Sequence, residues 1–474
     1  MKVNGNSSVK DPEVPLLKKT NNHLRESNLR WMALAFACFT CIGDYYGSNL
    51  FTALQTVIKR DFDMGEDNTK YNLISSVGSF PGIFLPFIGG ILIDRFGVRL
   101  VYITSGFTVI IGYIIITVGI AELHFTYLLI GKVVAAIGAG PLIVSKSAML
   151  VKWFAGKELS LALGAALVVS RVASSLDSII SPRIYEFTLD LAFPFVIGVF
   201  VCVFAFIAIC GLCYIDKKAE TQDELLVEGA TTAAPDDKGF NFRDVFKLPV
   251  IYFLIVLNVT IISPALFTFN ANLGDLIVKR FNVPLVNAGE LVPFTYYISF
   301  FLTPLTGIYV DRKGKRVLII FLATIIFLIS HLYIAFLDDA PKDQTDYKII
   351  WGLVGIGFFY AAYSAVIWPC IALVVKKDLT GLAYGLTNSF QSVTTTIMPM
   401  VFAYVHDETK DYKFGYFWME IVAVGAVALA LIVIAAIYFL DHKNGGRLEK
   451  PGTQREVEIK KASRTASQAD LLDC

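Results

Sequence analysis

The stretch Gly90-Ile91-Leu92-Ile93-Asp94-Arg95-Phe96-Gly97-Val98-Arg99 recurs as Gly307-Ile308-Tyr309-Val310-Asp311-Arg312-Lys313-Gly314-Lys315-Arg316, 217 residues further along the chain. In both copies an apolar run closes on Gly-x3-Asp-Arg-x-Gly-x-Arg and another apolar run opens. Five fixed positions matched at one offset exceed what ordinary residue frequencies supply. The chain is therefore read as two halves built to one plan. The glycines let helix ends and a tight turn approach closely, and an aspartate at a helix end can face another helix's positive N-terminus or a neighbouring arginine. A second match joins Gly156-Lys157-Glu158-Leu159 with Gly164 to Lys377-Asp378-Leu379-Thr380 with Gly385.

Around these loops the composition is that of a membrane. The 474 residues are 55% hydrophobic and 17% charged, where soluble domains carry about 25% charge, and the mean hydropathy is +0.61. Apolar runs near the ~20 residues that cross a bilayer as helix recur from Trp31 to Leu440. Twelve spans are expected, near 31–54, 73–93, 98–119, 125–151, 158–182, 191–215, 249–273, 289–310, 317–337, 347–375, 380–405 and 414–440. This gives an all-α membrane protein with a tail at 1–30, a six-helix bundle at 31–215, a polar linker at 216–248, a second bundle at 249–440 and a tail at 441–474. The first thirty residues lack an apolar core before a small-residue cleavage site, so no removable signal peptide is expected.

Charge then orients the spans. Arg95, Arg99, Lys152, Lys157, Lys217, Lys218, Arg312, Lys313, Lys315, Arg316, Lys376, Lys377 and Lys443 fall on one side, while the opposite loops carry Asp61, Asp63, Glu66, Asp338, Asp339, Asp407 and Asp411. The positive-inside rule places the basic side and both termini in the cytosol. Six of the seven cysteines lie in apolar runs and the seventh is Cys474, so disulfides are not expected. A net charge of +1 gives no reason to expect nucleic acid as a partner. No phosphate-cradling Gly-x4-Gly-Lys-Ser/Thr, metal-spaced His/Cys cluster or nucleophile elbow is present, so neither an enzyme, a cofactor, a metal nor ATP-driven pumping is expected.

Ionisable groups at bilayer depth face a cavity or a partner. The candidates are Asp44, Lys146, Arg171, Asp177, His331 and Glu420. Arg171 shares a helical face with Ser174, Ser175 and Ser178, a stripe that suits a wet cavity; an internal ion pair with Asp44 or Asp177 is the alternative. Lys146 would attract anions or pair with Asp177. Asp44 precedes the polar interruption Tyr45-Tyr46-Gly47-Ser48-Asn49 and would meet substrate or a proton. His331 and Glu420 are expected to be structural. Tyr296, Tyr360, Tyr363, Trp368, Asn388 and Gln391 offer apolar bodies with polar tips, for pocket wall or bundle core.

The paired loop resembles that of the major facilitator superfamily, over residues 31–440. The resemblance implies two pseudo-symmetric six-helix bundles that open a central cavity alternately to each side. It also implies gating contacts that hold the cytosolic side shut, from Asp94 to the start of helix eleven near Leu379-Thr380 and from Asp311 to the start of helix five near Lys157-Glu158. Ala53-Leu54-Gln55-Thr56-x-x-Lys59-Arg60-Asp61, Trp153-Phe154-x-Gly156-Lys157-Glu158-Leu159, Trp368-Pro369 and Gly381-x-Ala383-Tyr384-Gly385 are similar to the lysosomal dipeptide uniporter branch. That branch implies dipeptide export from the lysosome, a dileucine sorting signal, for which Leu16-Leu17 is the candidate, and a glycosylated accessory membrane subunit. Gly140 stands where the branch has a glutamate and Lys146 where it has a neutral polar residue, whereas Arg171 matches an arginine that meets the substrate carboxylate.

The expected function is alternating-access transport of small zwitterionic solutes. Arg171 and Lys146 would hold the carboxylate, Asp44 or Asp177 the amine, and Tyr296, Trp368 and Gln391 the side chains. A proton-coupled or organic-anion porter and a non-transporting membrane sensor or scaffold are the rivals. The lysosomal membrane is the expected location, with the plasma membrane as the alternative.

Overall fold

A computed structural model describes residues 28–65, 68–154, 159–227, 242–341, 344–375 and 379–451. Nine helices among them are long and apolar enough to cross a membrane. Three other expected spans fall short as single helices, for local reasons. The first is divided into α1 (Leu29–Phe39), α2 (Ile42–Ala53) and α3 (Gln55–Asp61). The second is divided into α4 (Asn68–Ser79) and α5 (Leu85–Phe96) by a 3-10 turn at Phe80–Ile83, where Pro81 and Pro86 cannot donate to a continuing ladder. The eleventh is an unbroken helix whose Thr, Ser, Asn and Gln content lowers its hydropathy.

The N-terminal half continues through α6 (Val98–Ala121), α7 (Phe125–Phe154), α8 (Leu159–Thr188) and α9 (Ala192–Val227). The second half comprises α10 (Val250–Phe281), α11 (Leu285–Leu291), α12 (Phe294–Lys313), α13 (Arg316–Phe336), α14 (Ile349–Val374), α15 (Thr380–Glu408) and α16 (Tyr416–Lys443). Each half has its own apolar core, one running from Ala33 to Ala219 and the other from Leu248 to Leu448.

Two helices pass the expected ends of their spans. α9 runs beyond 215 because Asp216 and Glu220, one turn apart, receive Arg99 of the first paired loop and Lys152 of α7. Asp216 accepts Lys152 Nζ at 2.8 Å and the Trp153 indole N–H at 3.1 Å, and Arg99 pairs with Glu220. α10 runs beyond 273 because Asp275 and Arg280 both find partners, Arg280 donating to Asp339 at 2.7 Å.

The paired loops explain their own glycines. Gly97 (φ 79°) and Gly314 (φ 72°) occupy the same place in the two copies, in a conformation that costs other residues dearly. Arg99 ties its loop to α9, and buried Arg316 donates to the carbonyl of Lys450 at 3.2 Å. The second loop is also strapped by the chain after α16. Glu449 accepts the Val317 N–H at 2.9 Å and the Lys315 N–H at 3.0 Å, while Leu448 is fully buried in the second core. Arg95 and Arg312 are exposed. The side chains of Asp94 and Asp311, the sequence 155–158 and the dileucine Leu16-Leu17 lie outside what the structure describes, and so do the gating contacts expected there.

His331 and Glu420 meet in the α13–α16 seam, Nδ1 to Oε2 at 2.5 Å, with the Phe269 and Phe327 rings against the imidazole. Both are enclosed by the second bundle.

Candidate functional site: a central arginine and a sealed face

Arg171 leaves α8 and crosses to the second half. Its guanidinium donates to the Ser299 hydroxyl on α12 and, at 3.4 Å, to the Ser364 hydroxyl on α14, and it lies 4.4 Å from the Tyr360 ring centroid. Tyr296 packs edge-on against Tyr360 with centroids 6.2 Å apart, and Tyr45 of α2 lies within electrostatic reach of both Arg171 and Tyr360. A cation, three phenols and two hydroxyls thus converge where the halves meet. Among the described residues every partner of the guanidinium is neutral, so an incoming carboxylate would supply the first charge-pair contact.

The serine stripe beside Arg171 does something else. Asn49 of α2 donates to the Ser174 carbonyl (3.0 Å), Asp177 (3.0 Å) and Ser178 (2.6 Å), and Ser181 donates to Asp177 at 2.6 Å. Small hydroxyls here let α2 and α8 pack closely, and the structure places Asp177 fully buried in that seam rather than beside the arginine. No spacing rule signals this, because the partner asparagine lies 128 residues away on another helix. Trp368 and Gln391 stay within the second half. Tyr384 donates to the Trp368 carbonyl at 3.0 Å, and Gln391 donates to Ser263 at 3.0 Å.

Asp44 and Lys146 lie within electrostatic reach of each other, and so does a residue that the sequence reading passed over. Lys132 of α7 sits in an apolar run, its ammonium 3.9 Å from the Phe51 ring centroid of α2, and both lysines act electrostatically on Asp44. The signal was present, since any lysine at bilayer depth costs at least ~2.5 kcal/mol by insertion scales. Gly140 lies between them on α7; a Cβ there would come within 2.8 Å of Leu85 Cβ, so a longer side chain would have to displace α5.

One face of the molecule is sealed across the halves, opposite the paired loops. Gln55 donates to Asn272 at 3.1 Å, and Asn72 and Asn272 exchange amide hydrogen bonds at 3.0 and 3.1 Å. Gln55 and Asn272 are 217 residues apart, the offset of the repeat, so this bond joins equivalent positions of the two halves. One turn on, Lys59 Nζ meets Asp275 at 3.1 Å, and Asp275 also accepts from Thr56 (3.1 Å) and Tyr416 (2.6 Å). Gly274 admits the Thr52 carbonyl so closely that an added Cβ would lie 2.5 Å from that oxygen.

At the outer edge Asp407 accepts the Asn68 and Thr69 N–H groups at 2.9 Å each and the Thr69 hydroxyl at 2.6 Å, capping α4 from the other half. On the face of the paired loops, by contrast, an added Cβ at Gly90, Gly97 or Gly307 would meet open space.

Asp407 lies past the end of its span, and burial would raise its pKa, but the hydrogen bonds from His406, Thr69 and the α4 backbone overcome this and lower it to about 2. A depressed carboxylate contributes stability that is present above its unfolded value of ~3.9 and lost only as pH falls through the folded one. The cap therefore holds at pH ~5 as well as at pH 7. Asp407→Ala should lower stability by about 1–2 kcal/mol, as loss of a helix cap does, both at pH 7 and at pH ~5. Thermal unfolding of the two proteins at both values checks this; a deficit that vanishes at pH ~5 would contradict it.

Twelve spans in two like halves, a cation at their junction and a seal on one face define a class of alternating-access carriers. The chain belongs to the Major Facilitator Superfamily, whose model matches residues 32–399. It is accordingly a multi-pass membrane transporter acting on a small-molecule substrate. Over 439 residues it is 28% identical to the lysosomal dipeptide transporter MFSD1 of Mus musculus, spanning 90% of each chain. The MFSD1 of Homo sapiens is 28% identical over 446 residues, 91% of this chain and 90% of that one. The solved structure of the nucleoside transporter NupG superposes with a TM-score of 0.65 at 11% identity over 87% of this chain and 99% of that one, a likeness of fold alone.

Proposed function

We propose that this protein is a dipeptide uniporter of the lysosomal membrane, exporting dipeptides to the cytosol down their gradient. Residues 31–215 and 249–440 are its two rocking halves, both termini are cytosolic, and the paired loops face the cytosol. The sealed face is then lumenal, and the conformation described is open toward the cytosol. Arg171 receives the peptide carboxylate, Asp44 the amine, and Tyr45, Tyr296 and Tyr360 enclose the backbone between them. Asp94 and Asp311 engage their helix partners when the cytosolic side closes. The protein carries no cofactor and catalyses no reaction, and a glycosylated accessory subunit shields it in the lumen.

The observation that carries this reading is the reach of Arg171 across the junction to neutral partners only. The relatives' printed function, matched over about nine-tenths of the chain, supports it. A ligand stabilises the state it binds by mass action, so a thermal-shift screen of purified protein against dipeptides, free amino acids and organic acids should rank dipeptides first. A ranking led by free amino acids, or no stabilisation by any dipeptide, would overturn it.

A further inference from the structure

Three charged groups of the first half stand without a hydrogen-bonding or ion-pair partner among the described residues. The Asp44 carboxylate on α2 and the Lys132 and Lys146 ammonium groups on α7 make no hydrogen bond and no ion pair among the described residues. Charges at bilayer depth are expensive and are ordinarily paired. Here the bundle offers pairing and does not complete it. Asp44 feels both lysines, but neither closes on it, and Lys132 rests on the Phe51 ring instead. Lys146 is only 5% exposed, within electrostatic reach of Cys38 and Asp44.

The helix sets the spacing. Lys132 and Lys146 are fourteen residues apart, close to four turns, so both point from one face of α7 with about 21 Å of axis between them. Asp44 acts on both from the facing helix. Counted with Arg171 at the junction, these groups comprise three cations and one carboxylate.

A zwitterionic dipeptide with a neutral side chain would occupy Arg171 with its carboxylate and Asp44 with its amine, leaving both lysines unmatched. A peptide carrying a further carboxylate matches one of them. We infer that the site selects acidic dipeptides, with Lys146, and Lys132 beyond it, receiving the side-chain carboxylate of an aspartyl or glutamyl residue. The inference rests on the dipeptide reading and adds the substrate class to it. Lys146 and Lys132 are specificity residues in this scheme.

The test uses full-length purified protein in detergent and in proteoliposomes, with Ala-Glu, Ala-Ala and Ala-Lys as probes and glutarate as a peptide-free dicarboxylate. Ala-Glu is expected to bind at least about tenfold more tightly than Ala-Ala, a step of 1.4 kcal/mol, with Ala-Lys weakest. The ratio of Ala-Glu to Ala-Ala affinity should fall about tenfold in Lys146→Gln, fall less in Lys132→Gln, and recover in Lys146→Arg. A merely structural lysine would move both affinities together and leave the ratio intact. An unchanged ratio in both glutamine variants, or equal affinity of the wild type for Ala-Glu and Ala-Ala, overturns the inference while leaving dipeptide transport standing. If no dipeptide binds but glutarate does, and Lys146→Gln abolishes that, the dipeptide reading fails and the anion-selecting role of the lysines stands. Failure of all four probes overturns both.

Discussion

Replacing Arg171 by alanine should lower dipeptide uptake by about 100-fold, the scale of losing one buried partner of a charge pair. The physical reason is the neutrality of the protein groups that hold it. Ser299, Ser364 and Tyr360 keep the guanidinium in place without satisfying its charge, so on the proposed reading a solute carboxylate would contribute the largest single gain on binding. Its fork geometry matters as well as its charge. Arg171→Lys keeps the charge but loses the two-pronged donor and the stacking on Tyr360, and should recover only part of the activity, on the order of tenfold below wild type. Uptake by proteoliposomes containing equal amounts of folded protein measures both. Uptake by Arg171→Ala within twofold of wild type would remove the arginine from the site.

The second large effect is expected at the seal. Lys59 and Asp275 are nearly fully buried, and their contact spans the halves, so it exists only while this face is closed. Removing one partner of a buried pair costs about 3–5 kcal/mol, and here the cost falls on the sealed conformer alone. Asp275→Ala should be the harsher change, because it leaves Lys59 facing Lys279, whose ammonium lies 3.2 Å from Asp275 in the intact protein. Lys59→Ala should be milder, since Lys279, Thr56 and Tyr416 still satisfy the carboxylate. The sealed population should fall by about two orders of magnitude in Asp275→Ala. Replacing both members with apolar residues, as Lys59→Met with Asp275→Leu, should restore much of it. Distance measurements between spin labels at Glu122 and Lys410, exposed on the two halves at this face, report the shift. An unchanged distance distribution in Asp275→Ala would mean that the pair does not hold the face shut.

Much of the architecture was legible because it follows from local rules. Apolar runs of bilayer length gave the spans, although the break at Pro81 and Pro86 in the second was not read from them. The repeated loop gave the two halves, and Gly97 and Gly314 proved to be positive-φ positions in both copies. Arg171 stood out as a charge in an apolar run and does cross the junction.

What escaped the sequence was pairing at long range. Lys59 and Asp275 are separated by 216 residues, and no spacing rule joins them. Gln55 and Asn272 could have been matched, since they sit at the repeat offset, but both look like ordinary polar residues near a helix end. Asp177 and its serines were misplaced for the same reason, because a buried seam and a wet cavity need the same small polar side chains. The charges from Asp216 onward looked like a linker because polarity marks the end of a membrane crossing but not the end of a helix; α9 continues on ion pairs with Arg99 and Lys152. Lys132 was hidden by the apolar residues around it, which made its span convincing and its charge easy to pass over.

The most direct test is counterflow: purified protein in sealed liposomes preloaded with unlabelled dipeptide, with labelled dipeptide added outside, for wild type and Arg171→Ala. Wild type should accumulate label transiently without any imposed proton gradient, and Arg171→Ala should not. Accumulation that requires a proton gradient, or equal accumulation in both proteins, would contradict an alternating-access dipeptide uniporter built around Arg171.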